Sequence, residues 1–221
     1  MKGEKRPAAV FLDRDGTINE EVGYLDRMEK LQLIPGAAEA IRLINKSGMK
    51  AVVVTNQSGV ARGVFDEVLV EKTHDYLRDI LRADGALIDA FYFCPHHPTE
   101  GRVEYLKICD CRKPSPGMLL RAVEELRIDP NRSYMVGDTL KDIEAGARAG
   151  VQGILVRTGY GEEAAAQLGP DEESQKNGDM MPHRAPIEKA GPEREVGIVR
   201  PVYVAGDLLA AVKWILRNRK S

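Results

Sequence analysis

Residues 8–17 read Ala-Ala-Val-Phe-Leu-Asp-Arg-Asp-Gly-Thr, an apolar run that ends in two acids one residue apart. A continuous apolar run suits a strand buried on both faces, as in parallel sheets. The run 8–13 is the first of six such stretches. The others are 50–55, 90–93, 133–136, 151–156 and 202–205. Helical patterns lie between them. Ala37, Ala40, Ile41 and Ile44 share one face of a helix over 37–46. Val70, Leu77 and Leu81 repeat at helical spacing over 66–82, with Asp66 as N-cap. Segments 118–126, 140–149 and 208–216 complete the series. This alternation predicts an α/β fold: a doubly wound, mainly parallel, Rossmann-like sheet with helices on both faces. Its ligands would bind beyond the carboxyl ends of the strands.

The 221 residues suit a single domain spanning 1–221. With 32 basic and 34 acidic residues, the net charge of −2 offers no footprint for a nucleic-acid backbone or an anionic membrane surface. No apolar run approaches the roughly 20 residues that cross a bilayer, and the apolar stretch after the basic start is too short for a signal peptide. A cytoplasmic protein is expected. From Gly161 to Gly197 there is no aromatic residue, and Gly, Pro, Glu, Lys and Asp predominate. Such a stretch buries too little to offset its ordering entropy, so a flexible insertion is expected at 161–197, serving as a spacer.

Asp13 and Asp15 fall where the first strand ends, at i and i+2, and so can face one site. Close carboxylates repel unless a cation or shared proton intervenes, and Mg²⁺ with oxygen ligands would serve. One carboxylate can attack phosphorus to form an aspartyl-phosphate, while the other protonates the leaving oxygen and later activates water. Gly16 permits a tight exit. The second strand ends in Thr55-Asn56-Gln57-Ser58-Gly59, which fits either phosphate oxygens or a polar turn. Arg112 and Lys113 supply two cations. The fourth strand delivers Asp138, followed one turn later by Asp142, either a supporting acid or a helix-start charge. Together these parts match phosphoryl transfer, which needs in-line positioning and neutralised oxygens.

All three cysteines lie between 94 and 111, an arrangement unsuited to a disulfide framework. Cys94-Pro95-His96 and Cys109-Asp110-Cys111 are separated by 12 residues. Three thiolates and an imidazole fill the tetrahedral positions of Zn²⁺ and leave none for a catalytic water. The site, at 94–111, should be structural, contributing about 10 kcal/mol or more to local folding. His97 could compete with His96, support the ligands or face solvent. His74, on what reads as a polar helix face, and His183 read as incidental.

The motifs F-L-D-R-D-G-T-I-N, V-V-V-T-N-Q-S-G-V-A-R-G, C-P-H-H-P, C-D-C-R-K-P-x-P-G-M and M-V-G-D resemble the haloacid dehalogenase (HAD) superfamily of phosphatases. More closely they resemble its heptose 1,7-bisphosphate 7-phosphatase and histidinol-phosphatase branch, over about residues 8–158. The resemblance implies a HAD domain without a large cap, with Asp13 as nucleophile and Asp15 as general acid and base. Mg²⁺ would take the Asp13 carboxylate, the Asp15 backbone carbonyl and Asp138. Thr55 and Lys113 would stabilise the phosphoryl group. Arg112, Asn56, Gln57 and Ser58 would contact substrate, with Glu21, Val22, Gly23 and Tyr24 nearby. Zinc would take Cys94, His96, Cys109 and Cys111. Thr139 departs from the lysine that many heptose phosphatases carry after the last magnesium-binding acid, leaving one positive contact fewer.

The expected activity is Mg²⁺-dependent removal of the C7 phosphate of D-glycero-D-manno-heptose 1,7-bisphosphate, as part of heptose biosynthesis. A histidinol-phosphate phosphatase or another small sugar-phosphate phosphatase is the alternative, and the 12-residue gap favours the heptose enzyme. A non-catalytic zinc-stabilised binding module would have no need of Asp13, Asp15, Lys113 and Asp138 together. The expected partner is a small sugar phosphate, with no nucleic acid or membrane, and the protein a monomer or weak homo-oligomer.

Overall fold

The first strand, β1 (Ala9–Leu12), lies inside a six-stranded sheet whose strands all run parallel. The computed structural model describes residues 6–169 and 198–219. After β1 come α1 (Ala37–Lys46), β2 (Lys50–Asn56), α2 (Glu67–Ala83) and β3 (Ala90–Cys94). They are followed by α3 (Gly117–Glu125), β4 (Tyr134–Gly137), α4 (Leu140–Arg148) and β5 (Gln152–Val156). The described elements end with α5 (Gly161–Gln167), β6 (Tyr203–Ala205) and α6 (Leu208–Asn218). The strand order is β3-β2-β1-β4-β5-β6, the doubly wound order expected from the alternation. The chain builds outward from β1 in both directions, so a crevice opens between β1 and β4 at their carboxyl ends.

Alternation along the strands divides the core in two. Val10 and Leu12 point toward α1, α2 and α6, where Ile41, Ile44, Leu77, Leu81, Val212 and Ile215 are buried. Ala9 and Phe11 point the other way, toward Met118, Leu119 and Ala122 of α3 and Ala145 of α4. A sheet covered on both faces explains why its strands read as unbroken apolar runs. Asp66 caps α2 by accepting from Leu69 N at 2.8 Å, and Asp207 caps α6 through Ala210 N at 2.7 Å. No helix among the described residues is long and apolar enough to cross a membrane.

Two expectations need correction. The stretch 161–197, read as a flexible insertion, opens with the helix α5, in which Ala164 is buried against Ile143 and Leu155. Its sequence is rich in Ala, Glu and Gln, good helix formers, but its contact face is made of small residues that give no apolar signal. Residues 170–197, with His183, lie outside the described residues. His74, read as lying on a polar face, is buried, with its ring stacked on Phe91 at 4.7 Å. Burial first, and then the charge of Arg14, hold its pKa down to about 3, so it is neutral.

Phe11 is wholly buried on a central strand. Replacing it (Phe11→Ala) should cost about 3–5 kcal/mol of stability, measured by urea unfolding.

Candidate active site

Strand β1 ends one residue before Asp13, whose backbone N–H still donates to Val136 O at 2.9 Å. The acid therefore sits at the rim of the sheet, in register with the end of β4. The Lys113 ammonium is buried beneath it, 2.9 Å from Asp13 Oδ1 and 2.5 Å from Asp142 Oδ1, and donates to Val54 O at 2.8 Å. The ammonium is thus ion-paired with two carboxylates and hydrogen-bonded to a carbonyl. Asp142 turns its other oxygen to Thr139, accepting from the backbone N at 3.0 Å and from Oγ1 at 2.6 Å. The two residues form a capping box at the start of α4. Asp142 is thus both the supporting acid and the helix-start charge that its spacing left open.

Asp13, Asp138 and Asp142 bring carboxylate oxygens within 4.8 Å of one another. Asp142 has both oxygens engaged. Asp13 Oδ1 also accepts from Arg14 N at 2.8 Å, which leaves Oδ2 open, and Asp138 Oδ2 accepts from Tyr160 N at 2.8 Å, which leaves Oδ1 open. One oxygen each from Asp13 and Asp138 is the donor set of a hard cation such as Mg²⁺, which usually takes one or two carboxylates and fills its octahedron with water and phosphate. The backbone is pared back around this point. A Cβ on Gly16 or on Gly159, both at positive φ, would come within 2.2 Å of Asp138 Oδ2. Burial, opposed by Lys113 and reinforced by Asp142, pushes Asp13 up to about 7. Burial and then the charges of Asp13 and Asp142 push Asp138 up to about 8.

Asp15 has different neighbours. Its carboxylate pairs with Arg14 through Nη2 at 2.8 Å and Nε at 3.1 Å, and accepts from Asn19 Nδ2 and Gln57 Nε2, each at 2.9 Å. Burial would raise its pKa, but the Arg14 charge and these hydrogen bonds hold it below the usual carboxylate range. Gln57 Nε2 also donates to Thr55 Oγ1 at 2.9 Å, which leaves the threonine hydroxyl proton free. The Asn56 amide is committed elsewhere: it accepts from Lys113 N and donates to Lys113 O, both at 3.1 Å. Ser58 is half-buried. In the loop after β1, Glu21 accepts from Gly23 N, Val22 is exposed, and Tyr24 Oη accepts from Arg62 Nη1 at 2.9 Å.

The Cys/His loop departs from the last residue of β3, Cys94, which is paired in register with Asn56. Sulfurs about 2.3 Å from a tetrahedral Zn²⁺ lie roughly 3.7 Å apart. Here Cys94 Sγ is 3.6 Å from Cys109 and 3.1 Å from Cys111, and Cys109 is 3.3 Å from Cys111. His96 Nδ1 lies 3.6 Å from Cys94 and 3.3 Å from Cys111. These four atoms fit zinc, and the three thiols are free of disulfides. His97 is not one of them. Its Nδ1 accepts from Glu100 N at 3.0 Å, fixing the turn that follows. Arg112, the residue after Cys111, donates from Nη1 to His96 O at 3.0 Å.

Arg14, Asn19 and Tyr160 complete the site but were not singled out from the sequence. A residue between two site acids in an extended run should face away from them. Arg14 does not, because the chain turns at once: Arg14 O collects the N–H groups of Thr17, Ile18 and Asn19. The Arg at the centre of Asp-Arg-Asp was the available signal.

The family model for HAD-hydrolase-like proteins matches residues 110–177. A protein of Pasteurella multocida named D-glycero-beta-D-manno-heptose-1,7-bisphosphate 7-phosphatase is 48% identical over 152 residues, covering 68% of this chain and 82% of that one. The protein of the same name from Escherichia coli K12 is 47% identical over 156 residues, covering 70% and 82%. Among solved structures, D,D-heptose 1,7-bisphosphate phosphatase from B. bronchiseptica, complexed with magnesium and phosphate, matches with a TM-score of 0.74 at 30% identity. That match covers 95% of this chain and 98% of the other.

Two predictions follow from the metal-site geometry. With the pKa values of Asp13 and Asp138 raised from 3.8 to about 7 and about 8, the cation-free folded state binds protons that the unfolded chain has already released. Stability without a divalent cation should therefore fall as pH rises from about 4 to about 8. Mg²⁺ favours the ionised forms, so urea unfolding at pH 5.5 and 8 should show a stabilisation by Mg²⁺ that is larger at pH 8. Protein purified without chelators should hold one zinc ion per chain by metal analysis. Cys109→Ser should lose it and become sensitive to proteolysis between residues 97 and 108.

Proposed function

The chain belongs to the D-glycero-beta-D-manno-heptose-1,7-bisphosphate 7-phosphatase family, among the HAD-like hydrolases, and from this we propose that it removes the C7 phosphate of D-glycero-D-manno-heptose 1,7-bisphosphate. The observation that carries this reading is the Asp13 carboxylate: one oxygen is held by the buried Lys113 ammonium, the other is open, and the group lies within 4.8 Å of the Asp138 carboxylate. A carboxylate fixed in this way is a nucleophile aimed out of the strand end.

In this assignment Asp13 attacks phosphorus and the bond to the C7 oxygen breaks, leaving an aspartyl-phosphate and an alcohol that takes the Asp15 proton. Water then attacks the phosphoryl group as Asp15 takes a proton back, releasing phosphate and restoring Asp13. The low pKa of Asp15 suits the second step. A phosphate dianion arriving beside it raises that pKa toward the value the first step needs. The Asp13 and Asp138 carboxylates and the Asp15 backbone carbonyl would hold Mg²⁺, which when bound neutralises the phosphoryl oxygens and keeps both acids ionised. Thr55 has its hydroxyl proton available for a phosphoryl oxygen. Lys113 supplies positive charge through Asp13. Arg112, aimed by its bond to His96 O, contacts the sugar phosphate with Ser58, under the Glu21–Tyr24 loop. Asn56 and Gln57 act one step back, by fixing Lys113 and Asp15.

The protein acts as one catalytic domain stapled by zinc at 94–111, a monomer or weak homo-oligomer. We place it in the cytoplasm, where the three thiolates stay reduced. Phosphate release from a panel of heptose bisphosphate, histidinol phosphate and fructose bisphosphate should be most efficient with the first, and a preference for histidinol phosphate overturns the substrate reading. Asp13→Asn should lower kcat by roughly a thousandfold or more.

A further inference from the structure

Three loops leave the carboxyl ends of the neighbouring strands β3, β2 and β1, and the middle one grips both of the others. The grip is Arg62. It lies in the loop after β2, shortly beyond Gln57, whose amide donates to Asp15. Its Nη1 donates to Tyr24 Oη at 2.9 Å, in the loop after β1. Its Nη2 pairs with Glu100 at 3.0 Å, in the loop after β3, and comes within 3.4 Å of His97 Nε2.

The two gripped loops differ in what else supports them. The loop after β3 meets the loop after β2 backbone to backbone. Arg102 N donates to Ala61 O at 2.7 Å, and a Cβ on Gly101, where φ is +120°, would come within 2.2 Å of that oxygen. Arg62 is therefore seated beside a fixed piece of chain. The loop after β1 has less to hold it. It leaves the site at Asn19, whose amide donates to Asp15 and to Glu20 O. Among the described residues, the other hydrogen bonds of Glu21–Tyr24 close within the loop, from Gly23 N to Glu21 and from Tyr24 N to Val22 O. The Tyr24 ring also meets Phe65 edge-on at 6.3 Å. An exposed ion pair contributes little by itself, but a guanidinium fork with its two ends on different loops fixes the spacing between them.

We propose that Arg62 is a positioning residue that ties the loop after β1, which covers the sugar in the assignment above, to the loop after β3, so that Tyr24 meets substrate already in place. Ordering a loop in advance removes a cost from binding and leaves the phosphoryl-transfer step alone, so its effect belongs in KM. The inference rests on the sugar-phosphate reading above.

The test is steady-state kinetics on heptose 1,7-bisphosphate together with amide hydrogen exchange of the substrate-free protein. Arg62→Met should raise KM by about tenfold with kcat changed by less than about twofold, and should speed exchange at residues 21–25 by about threefold or more. Arg62→Lys, which reaches one partner at a time, should recover part of both losses. Tyr24→Phe should add little to the KM of Arg62→Met, because the two residues act through one contact. An unchanged KM, a loss confined to kcat, unaltered exchange at 21–25 or fully additive effects of the two substitutions each overturn the proposal and leave the phosphatase reading intact. A wild-type protein that does not hydrolyse the bisphosphate sinks that reading, and this one with it.

Discussion

The buried ammonium of Lys113 holds the site together. A lone charge in the interior costs several kcal/mol, so its position depends on the Asp13 and Asp142 carboxylates and the Val54 carbonyl around it. Those partners come from the end of β1, the first turn of α4 and the body of β2, elements far apart in the chain. Asn56 pins the backbone of the lysine with two further hydrogen bonds. Through Asp142 the same ion pair reaches the N-terminus of α4, because the carboxylate that meets Lys113 also meets Thr139. The Asp13 carboxylate, its counter-ion and a helix cap form one connected unit. A change in any of them is felt by the others.

The charge balance of that unit is deliberately incomplete. Among the described residues, Asp13, Asp15, Asp138 and Asp142 pair with Lys113 and Arg14 alone, so two negative charges remain uncompensated at the strand ends. The deficit is concentrated at Asp13 and Asp138, the acids whose pKa values are pushed up and whose oxygens are partly open. Asp15, two residues from Asp13, is held down by Arg14. Two carboxylates two residues apart thus have different proton affinities, which is the condition for dividing nucleophile from acid–base work. The doubly wound sheet allows this by gathering β1, β2 and β4 at one crevice, so that groups more than a hundred residues apart converge.

Much of this was legible in the sequence because the chemistry sits where the apolar runs stop. Asp13, Thr55 and Asp138 each follow a stretch too apolar to be anything but buried strand, and the C-x-H and C-x-C pairs fix the metal by their ligand count. What was not legible depends on contacts between distant residues or on local turns. The Asn56 amide looks free for substrate until Lys113, 57 positions on, occupies both of its ends. Arg14 reads as outward-facing because alternation is assumed to continue, and the turn at Asp13 breaks it. His74 reads as polar because its neighbours on α2 are charged, yet it lies on the buried stripe against Phe91. Helix α5 escapes because alanines bury a face without announcing one.

The zinc loop leaves from Cys94, hydrogen-bonded into the sheet, and returns at Cys111, immediately before Arg112 and Lys113. One end is anchored in the sheet by the pairing of Cys94 with Asn56, and the four ligands that could hold zinc bring the other end to it. The 12 residues from His97 to Ile108 form a closed excursion whose length and composition can drift without moving the buried ammonium. That span can change while the Lys113 ammonium stays fixed by Asp13, Asp142 and Val54.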